Sequence, residues 1–344
     1  MLHVLILLMG RCLMSRPSPE RACRRLEDGT AIYRVGEQAP LIRLDVYLKE
    51  RIPKLSRTRI QEAIRTRVKV PGRGAPKPSM LLRPGDRVVV MPVPPPVEDE
   101  PDIMVSILHQ DDDLIVIDKP AGLLAHPSNH VHKGSVTYVL SRMFEGPLHL
   151  VHRLDRETSG TMAIARSAPT ARALSGQMSR ETEGATKTYL AIVFGEMAQT
   201  EGVIDLPIGK AVRSAVYVKR GVNPDAGRAS RTAFRLVARG GGFSFLEVTL
   251  ATGRRHQIRV HLAAIGHAVV GDKLYGPAES HYLRFIRGGF DEAMRAQLLA
   301  ERQLLHASRL CVRHPRTGAL LDLRAPLPRD MRDFLETRMG ASPV

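Results

Sequence analysis

The chain has no tryptophan, and only 7 tyrosines and 8 phenylalanines among its 344 residues. Any aromatic ring that meets a ligand therefore has to be placed individually, because broad stacking platforms are not available. Cysteine is nearly as scarce. Cys12, Cys23 and Cys311 are odd in number and far apart, and none falls in a CxxC pair. That excludes a disulfide framework and a cysteine zinc site, and it fits a reducing cytoplasm. Long apolar runs are missing as well. The stretch Val4 to Met9 has no basic residue before it. It falls short of a signal peptide, and far short of the roughly 20 residues of a membrane span. We read the first residues as an extension, with Met14 as the candidate start of the functional chain.

What the chain does have is positive charge. Lys and Arg total 51 against 35 Asp and Glu, a formal net charge of +16. Such a surplus favours a polyanionic partner, since each neutralised phosphate releases condensed counterions. Hydrophobic residues at 43% and charged residues at 25% are otherwise an ordinary globular balance. The length suggests two domains.

Composition divides the chain further. Residues 1–40 mix Arg, Pro and Glu without periodicity and read as a disordered tail. Residues 41–92 form a small basic α/β unit. Leu44 and Leu48 lie one helical turn apart, with Tyr47 and Ile52 beside them, and Pro53 ends that helix. Ser56 can cap a second helix with Ile60, Ala63 and Ile64 on one face and Arg57, Arg59, Arg65 and Arg67 on the other. Short strands follow around the turn Pro84-Gly85-Asp86. Residues 93–102, proline-rich and then acidic, read as a stiff linker.

Residues 103–330 read as one α+β domain, followed by a tail over 331–344. Strands are expected at Leu114 to Ile117, Met162 to Ala165, Tyr189 to Val193 and Ser244 to Leu250. Helices are expected near Thr170 to Met178 and His256 to Ala264, and Gly240-Gly241-Gly242 marks a hairpin turn.

The densest chemistry lies in His152-Arg153-Leu154-Asp155-Arg156-Glu157-Thr158-Ser159-Gly160. An Asp between two arginines is, by itself, more often a surface ion pair than a catalyst. Two further segments change that reading: Lys187-Thr188-Tyr189-Leu190-Ala191, and Gly253-Arg254-Arg255-His256-Gln257-Ile258-Arg259-Val260-His261. In this order the three resemble the motifs of the RluA class of RNA pseudouridine synthases. Asp118-Lys119-Pro120-Ala121-Gly122, Gly271-Asp272 and His306-Ala307 match the same class. The order Leu44-Asp45, Leu48, Ser56-Arg57, Ile64, Val68, Val70 and Pro84-Gly85-Asp86 is similar to the S4 RNA-binding domain, departing from it at Thr66 and Pro71.

The resemblance implies a catalytic fold built on a mixed, largely antiparallel sheet, with an S4-like domain ahead of it. It also implies isomerisation of uridine to pseudouridine in structured RNA, 23S ribosomal RNA ahead of transfer RNA, by a cytoplasmic monomer with no cofactor and no metal. Asp155 would be the reacting carboxylate, as nucleophile at C1′ or base at C2′. Arg259 would be its charge partner, and Tyr189 the wall against the base. Arg153, Arg156, Arg254, Arg255, Arg57, Arg59 and Arg65 are the expected RNA contacts, with Arg153 filling the place of the flipped base. Histidines 149, 152, 256, 261, 267 and 306 form no HExxH pattern and are read as structural hydrogen-bonding groups. Two other classes stay open from sequence: an RNA-binding assembly factor that keeps the fold without catalysis, and a nucleoside or glycoside hydrolase using Asp155. The second lacks a matched partner carboxylate.

Overall fold

The structure, a computed structural model, describes residues 23–26, 30–53, 55–92, 103–127, 134–179, 184–212 and 214–341. The chain divides into two compact units, Met1–Pro95 and Pro96–Val344. The expected linker over 93–102 lies outside the described residues, as does the opening stretch through Met14.

In the first unit, helices Leu44–Arg51 and Arg57–Arg67 stand where the periodicity puts them, and Ser56 caps the second by accepting from the Arg59 amide. Leu44, Tyr47 and Leu48 meet Ile60 and Ile64 in one buried cluster with Val68, Leu82 and Val88. Asp45, in the first turn of the first helix, is buried. It accepts from Arg43 (3.0 Å), Arg57 (3.4 Å) and Gln61 (3.4 Å). The hydrogen bond from Arg43 leads in holding its carboxyl down at about 2.

The tail expected over 1–40 is shorter than the sequence suggests. Strand Cys23–Arg25 pairs with Ala31–Arg34, which pairs with Arg87–Val90. Tyr33 and Val35 are both buried in the unit's core. Among the described residues of this stretch Tyr33 and Val35 are the buried members of that core, set among Arg and Glu neighbours, so the stretch shows little periodicity.

The second unit is built on a ten-stranded sheet. Its order is Glu201–Asp205, Arg231–Gly240, Phe243–Leu250, Thr186–Phe194, Leu305–Arg313, Ser159–Ala165, Leu114–Lys119 and Ser106–Gln110, with Leu320–Arg324 and His149–Leu150 as side branches. Every pairing in this sheet is antiparallel except one. Ser159–Ala165 runs parallel to Leu305–Arg313, with Ser159 opposite His306 and Gly160 opposite Ala307. The fold is therefore α+β on a mixed, mostly antiparallel sheet.

Strand Ser159–Ala165 is buried along its whole length, because helices cover both faces of the sheet there. Ile117, Met162 and Ile164 pack with Leu140 and Leu262 on one side, and Val116, Ala163 and Leu310 with Leu174 and Met178 on the other. Gly160 has φ 110°, and a Cβ there would collide with the backbone of Ala307. Only glycine lets the parallel pair close.

The tail expected over 331–344 is instead a docked helix. Arg329–Phe334 continues through Leu335–Met339, and Met331, Phe334, Leu335 and Met339 pack on Ile192, Phe243 and Phe245. Each such burial stabilises the unit by about 1.5–3 kcal/mol. No helix is long and apolar enough to cross a membrane among the described residues.

Candidate active site

The turn carrying Asp155 lies between strands His149–Leu150 and Ser159–Ala165, and the chain anchors it at both ends. Before it, half-buried His152 accepts at Nε2 from the Ala163 amide (2.9 Å). Burial pushes its imidazole down to about 4, so it is neutral and free to accept there. After it, the Arg156 carbonyl accepts from the Gly122 amide (2.9 Å) and from Lys119 Nζ (3.1 Å). Lys119 also donates to the carbonyls of Pro120 and Leu123, so one fully buried ammonium ties two backbone segments together through three carbonyls. Burial first, then the charge of Arg302, pushes it down to about 7.

Arg259 projects from helix Gln257–Ala264 and divides its guanidinium between two acids. Nη1 donates to Asp155 Oδ2 at 2.7 Å; Nε and Nη2 donate to Asp272 Oδ2 and Oδ1 at 2.6 and 2.8 Å. Asp272 is fully buried, and its Oδ1 also accepts from the amides of Leu274 and Tyr275. Asp155 keeps 26% of its side chain exposed. Desolvation is the largest single effect and raises the Asp155 pKa, but the charge of Arg259, the nearby His256 and the Arg259 hydrogen bond together outweigh it and hold the carboxyl below its ordinary value. The same opposition, settled the same way, keeps Asp272 ionised.

His256 begins the Arg259 helix in a left-handed conformation, φ 59°. A non-glycine residue adopts this at a cost of about 1 kcal/mol or more. Its Nδ1 lies 2.8 Å from the Tyr275 hydroxyl, and its Nε2 lies 3.8 Å from Asp155 Oδ1. Burial pushes its imidazole down to about 4. Gln257 fixes the junction: its Oε1 accepts from Thr252 and the Arg254 amide, while its Nε2 donates to the Arg231 carbonyl and Thr232.

Tyr189 is 8% exposed in strand Thr186–Phe194, opposite a register irregularity in Leu305–Arg313. Bulges of this kind re-aim side chains beside sites. Burial, followed by the charge of Asp155, pushes its hydroxyl well above the ordinary tyrosine value. Tyr189, Asp155, Arg259 and His256 line a narrow chamber of about 60 Å³. A wider space of about 460 Å³, lined by Tyr189, Asp155 and Arg254 among others, adjoins these residues.

The expected RNA contacts differ in their surroundings. Arg153 and Arg255 are exposed and line the site's cavities. Arg254 is half-buried and donates to the Ala229 carbonyl (3.3 Å). Arg156 is exposed and donates from Nε to the Gly122 carbonyl (3.0 Å). Arg57, Arg59 and Arg65 are exposed in the other unit.

Several of the histidines have the structural bonds expected of them. His261 bridges Thr232 and the Leu206 carbonyl, His267 meets the Phe194 carbonyl, and His306 meets Ser159. Asp111, Asp113 and His314 come together elsewhere, where their atoms bond with each other, with backbone amides and with Arg316. Sequence reasoning passed over Asp272, Lys119 and His256 as site residues, although each lies in a motif that it matched.

Comparisons with known proteins point the same way. The family model described as RNA pseudouridylate synthase matches residues 113–264. An RNA pseudouridine synthase of Chloroflexus aurantiacus, itself uncharacterized, is 37% identical over 303 residues, spanning 85% of this chain and 89% of that protein. The ribosomal large subunit pseudouridine synthase D of Xanthomonas campestris pv. campestris is 36% identical over 305 residues, 85% of this chain and 88% of its own. Among solved structures, human RNA pseudouridylate synthase domain containing 4 is similar at 25% identity and TM-score 0.51, covering 67% of this chain and 92% of that one.

The shared guanidinium makes a testable distinction between its two acids. Asp272→Asn leaves a buried cation half-paired and should cost about 3–5 kcal/mol. Asp155→Asn, at the wet end, should cost about 1 kcal/mol or less. Urea midpoints at constant m-value measure both, and equal losses would show that the two carboxylates do not differ in this way.

Proposed function

This chain belongs to the RNA pseudouridine synthase family, in its RluA class, and from that membership we propose that it acts on large-subunit ribosomal RNA with Asp155 as the reacting carboxylate. The enzyme is an isomerase that converts uridine to pseudouridine. The N1–C1′ bond breaks, the uracil turns, and a C5–C1′ bond forms. The C5 proton is lost and N1 gains one, so the sum is neither redox nor hydrolysis. Such a reaction can run on side chains alone.

One observation carries the assignment of Asp155: its 2.7 Å contact with an arginine that is itself held by a second, buried acid. A carboxylate kept ionised and partly open to solvent can serve either opening move, addition at C1′ or proton removal at C2′. Arg259 maintains that charge, and only arginine stays cationic in such a place. Tyr189 provides a flat wall that lets the base turn without fixing one hydrogen-bonding register. Its hydroxyl, pushed up by burial, stays protonated, so we assign it the role of wall and donor rather than phenolate base. Arg153, Arg254 and Arg255 are assigned to RNA, with Arg153 entering the space that the flipped base leaves.

The rRNA target draws on the similarity to the large-subunit synthase D of Xanthomonas campestris. The first unit is assigned an S4-like role: its second helix buries Ile60, Ala63 and Ile64 and turns Arg57, Arg59 and Arg65 to solvent.

Asp155→Asn should bind RNA within a few-fold of wild type and release no tritium from RNA labelled at uridine C5. Wild-type release would remove Asp155 from the mechanism. Mapping pseudouridine in a deletion strain against its parent should show losses confined to large-subunit ribosomal RNA; losses in transfer RNA alone would reassign the substrate. A fragment starting at residue 98 should stay folded, since its core is its own, but bind RNA more weakly and with a shallower salt slope. An unchanged slope would leave the first unit without an RNA role.

A further inference from the structure

We propose that a second cavity beside Asp155 receives the nucleobase next to the target uridine in the same RNA strand; this deepens the reading above and rests on it. Two sizeable cavities meet at Arg153, Asp155 and His256. Only one of them contains Tyr189, and that cavity, about 460 Å³ with its narrow chamber, is the place for the reacting uridine. The other, about 540 Å³, also reaches Asp155 and Arg259 but lacks the Tyr189 wall against which the base turns. Both volumes are within the roughly 300–1,000 Å³ typical of small-ligand pockets, so the second is large enough for a base and its sugar.

Its lining matches a nucleotide in both halves. Helix Ser280–Gly288 contributes Tyr282, Phe285 and Ile286 to the wall. Tyr282 and Leu283 pack against the buried cluster around Tyr275, but Phe285 and Ile286 belong to no core cluster, and Ile286 is 59% exposed. An aromatic and an aliphatic side chain left uncommitted beside a reacting carboxylate offer an apolar face to a base. Phe285 is backed by Lys273, whose Nζ lies 4.7 Å from the ring centre and is itself held by Glu157. That fixes the ring without using it up.

Charge completes the match. Arg153 and Arg255 line the same cavity, are exposed, and have no acidic partner among the described residues. Arg255 suits a phosphate beside that nucleotide, while Arg153 stays free to enter the vacated stack. Because Arg153, Asp155 and His256 are common to both cavities, an occupant of the second lies within one nucleotide step of the first. A flanking base placed there leaves its own stack together with the target, which would help to hold the flipped uridine in place.

The test uses a short RNA stem-loop around a uridine that the wild-type enzyme modifies, prepared intact, abasic immediately 5′ of the target, and abasic immediately 3′. Phe285→Ala and the surface variant Ile286→Ser are compared with wild type. One abasic position should lower wild-type kcat/KM about tenfold, mainly through KM. Each variant should lose activity several-fold on intact RNA, again through KM, and lose nothing further on that abasic RNA. Losses that multiply, or variants equal to wild type on intact RNA, would overturn the inference. Failure of the underlying reading would look different: wild-type enzyme would form no pseudouridine in the intact RNA, or Asp155→Asn would form it normally.

Discussion

Arg259 sits between two carboxylates, and much of the catalytic unit exists to keep it there. A lone acid paired with a lone arginine would close into a bidentate clamp with little charge left over. Here the two-nitrogen grip goes to Asp272, which is fully buried and further fixed by two backbone amides. Asp155 receives a single bond from the remaining nitrogen. The outer acid is therefore stabilised as an anion but not fully engaged, and its other oxygen is left to the neighbourhood of His256 and the cavity. Removing any one of the three changes the state of the other two.

That arrangement depends on two loops being held still. On one side, the ammonium of Lys119 gathers carbonyls from the Asp155 turn and from the segment after strand Leu114–Lys119. On the other, Gln257 closes the approach to the Arg259 helix by satisfying both ends of its amide. Both are buried polar residues; Lys119 bonds to backbone carbonyls and Gln257 divides its bonds between backbone and threonine hydroxyls, the pattern expected where rigidity matters more than net stability.

Much of this was legible in the sequence, though by different routes. Periodicity alone placed the strand at Met162–Ala165 and the two helices around Leu48 and Ile60. Asp155 and Arg259, 104 residues apart, could be joined only through motif resemblance, because no local pattern encodes a contact across that distance. Asp272 and Lys119 were seen as matched letters and given no role, since burial is a property of the finished core and leaves no mark on a single acid or lysine. The helix after Pro328 was legible and missed. Met331, Phe334, Leu335 and Met339 recur at helical spacing, but Arg, Asp and Glu around them gave the stretch the look of a tail.

The order of strands also bears on synthesis. Strand Leu305–Arg313 is the sole bridge between the half of the sheet that carries Tyr189 and the half that leads out of the Asp155 turn. In chain order it comes after both. A growing polypeptide can build either half as its residues emerge from the ribosome, but the halves cannot be joined until residues past 313 have been made. The sheet that carries the site is thus completed by a strand made after Asp155, Tyr189 and Arg259 alike.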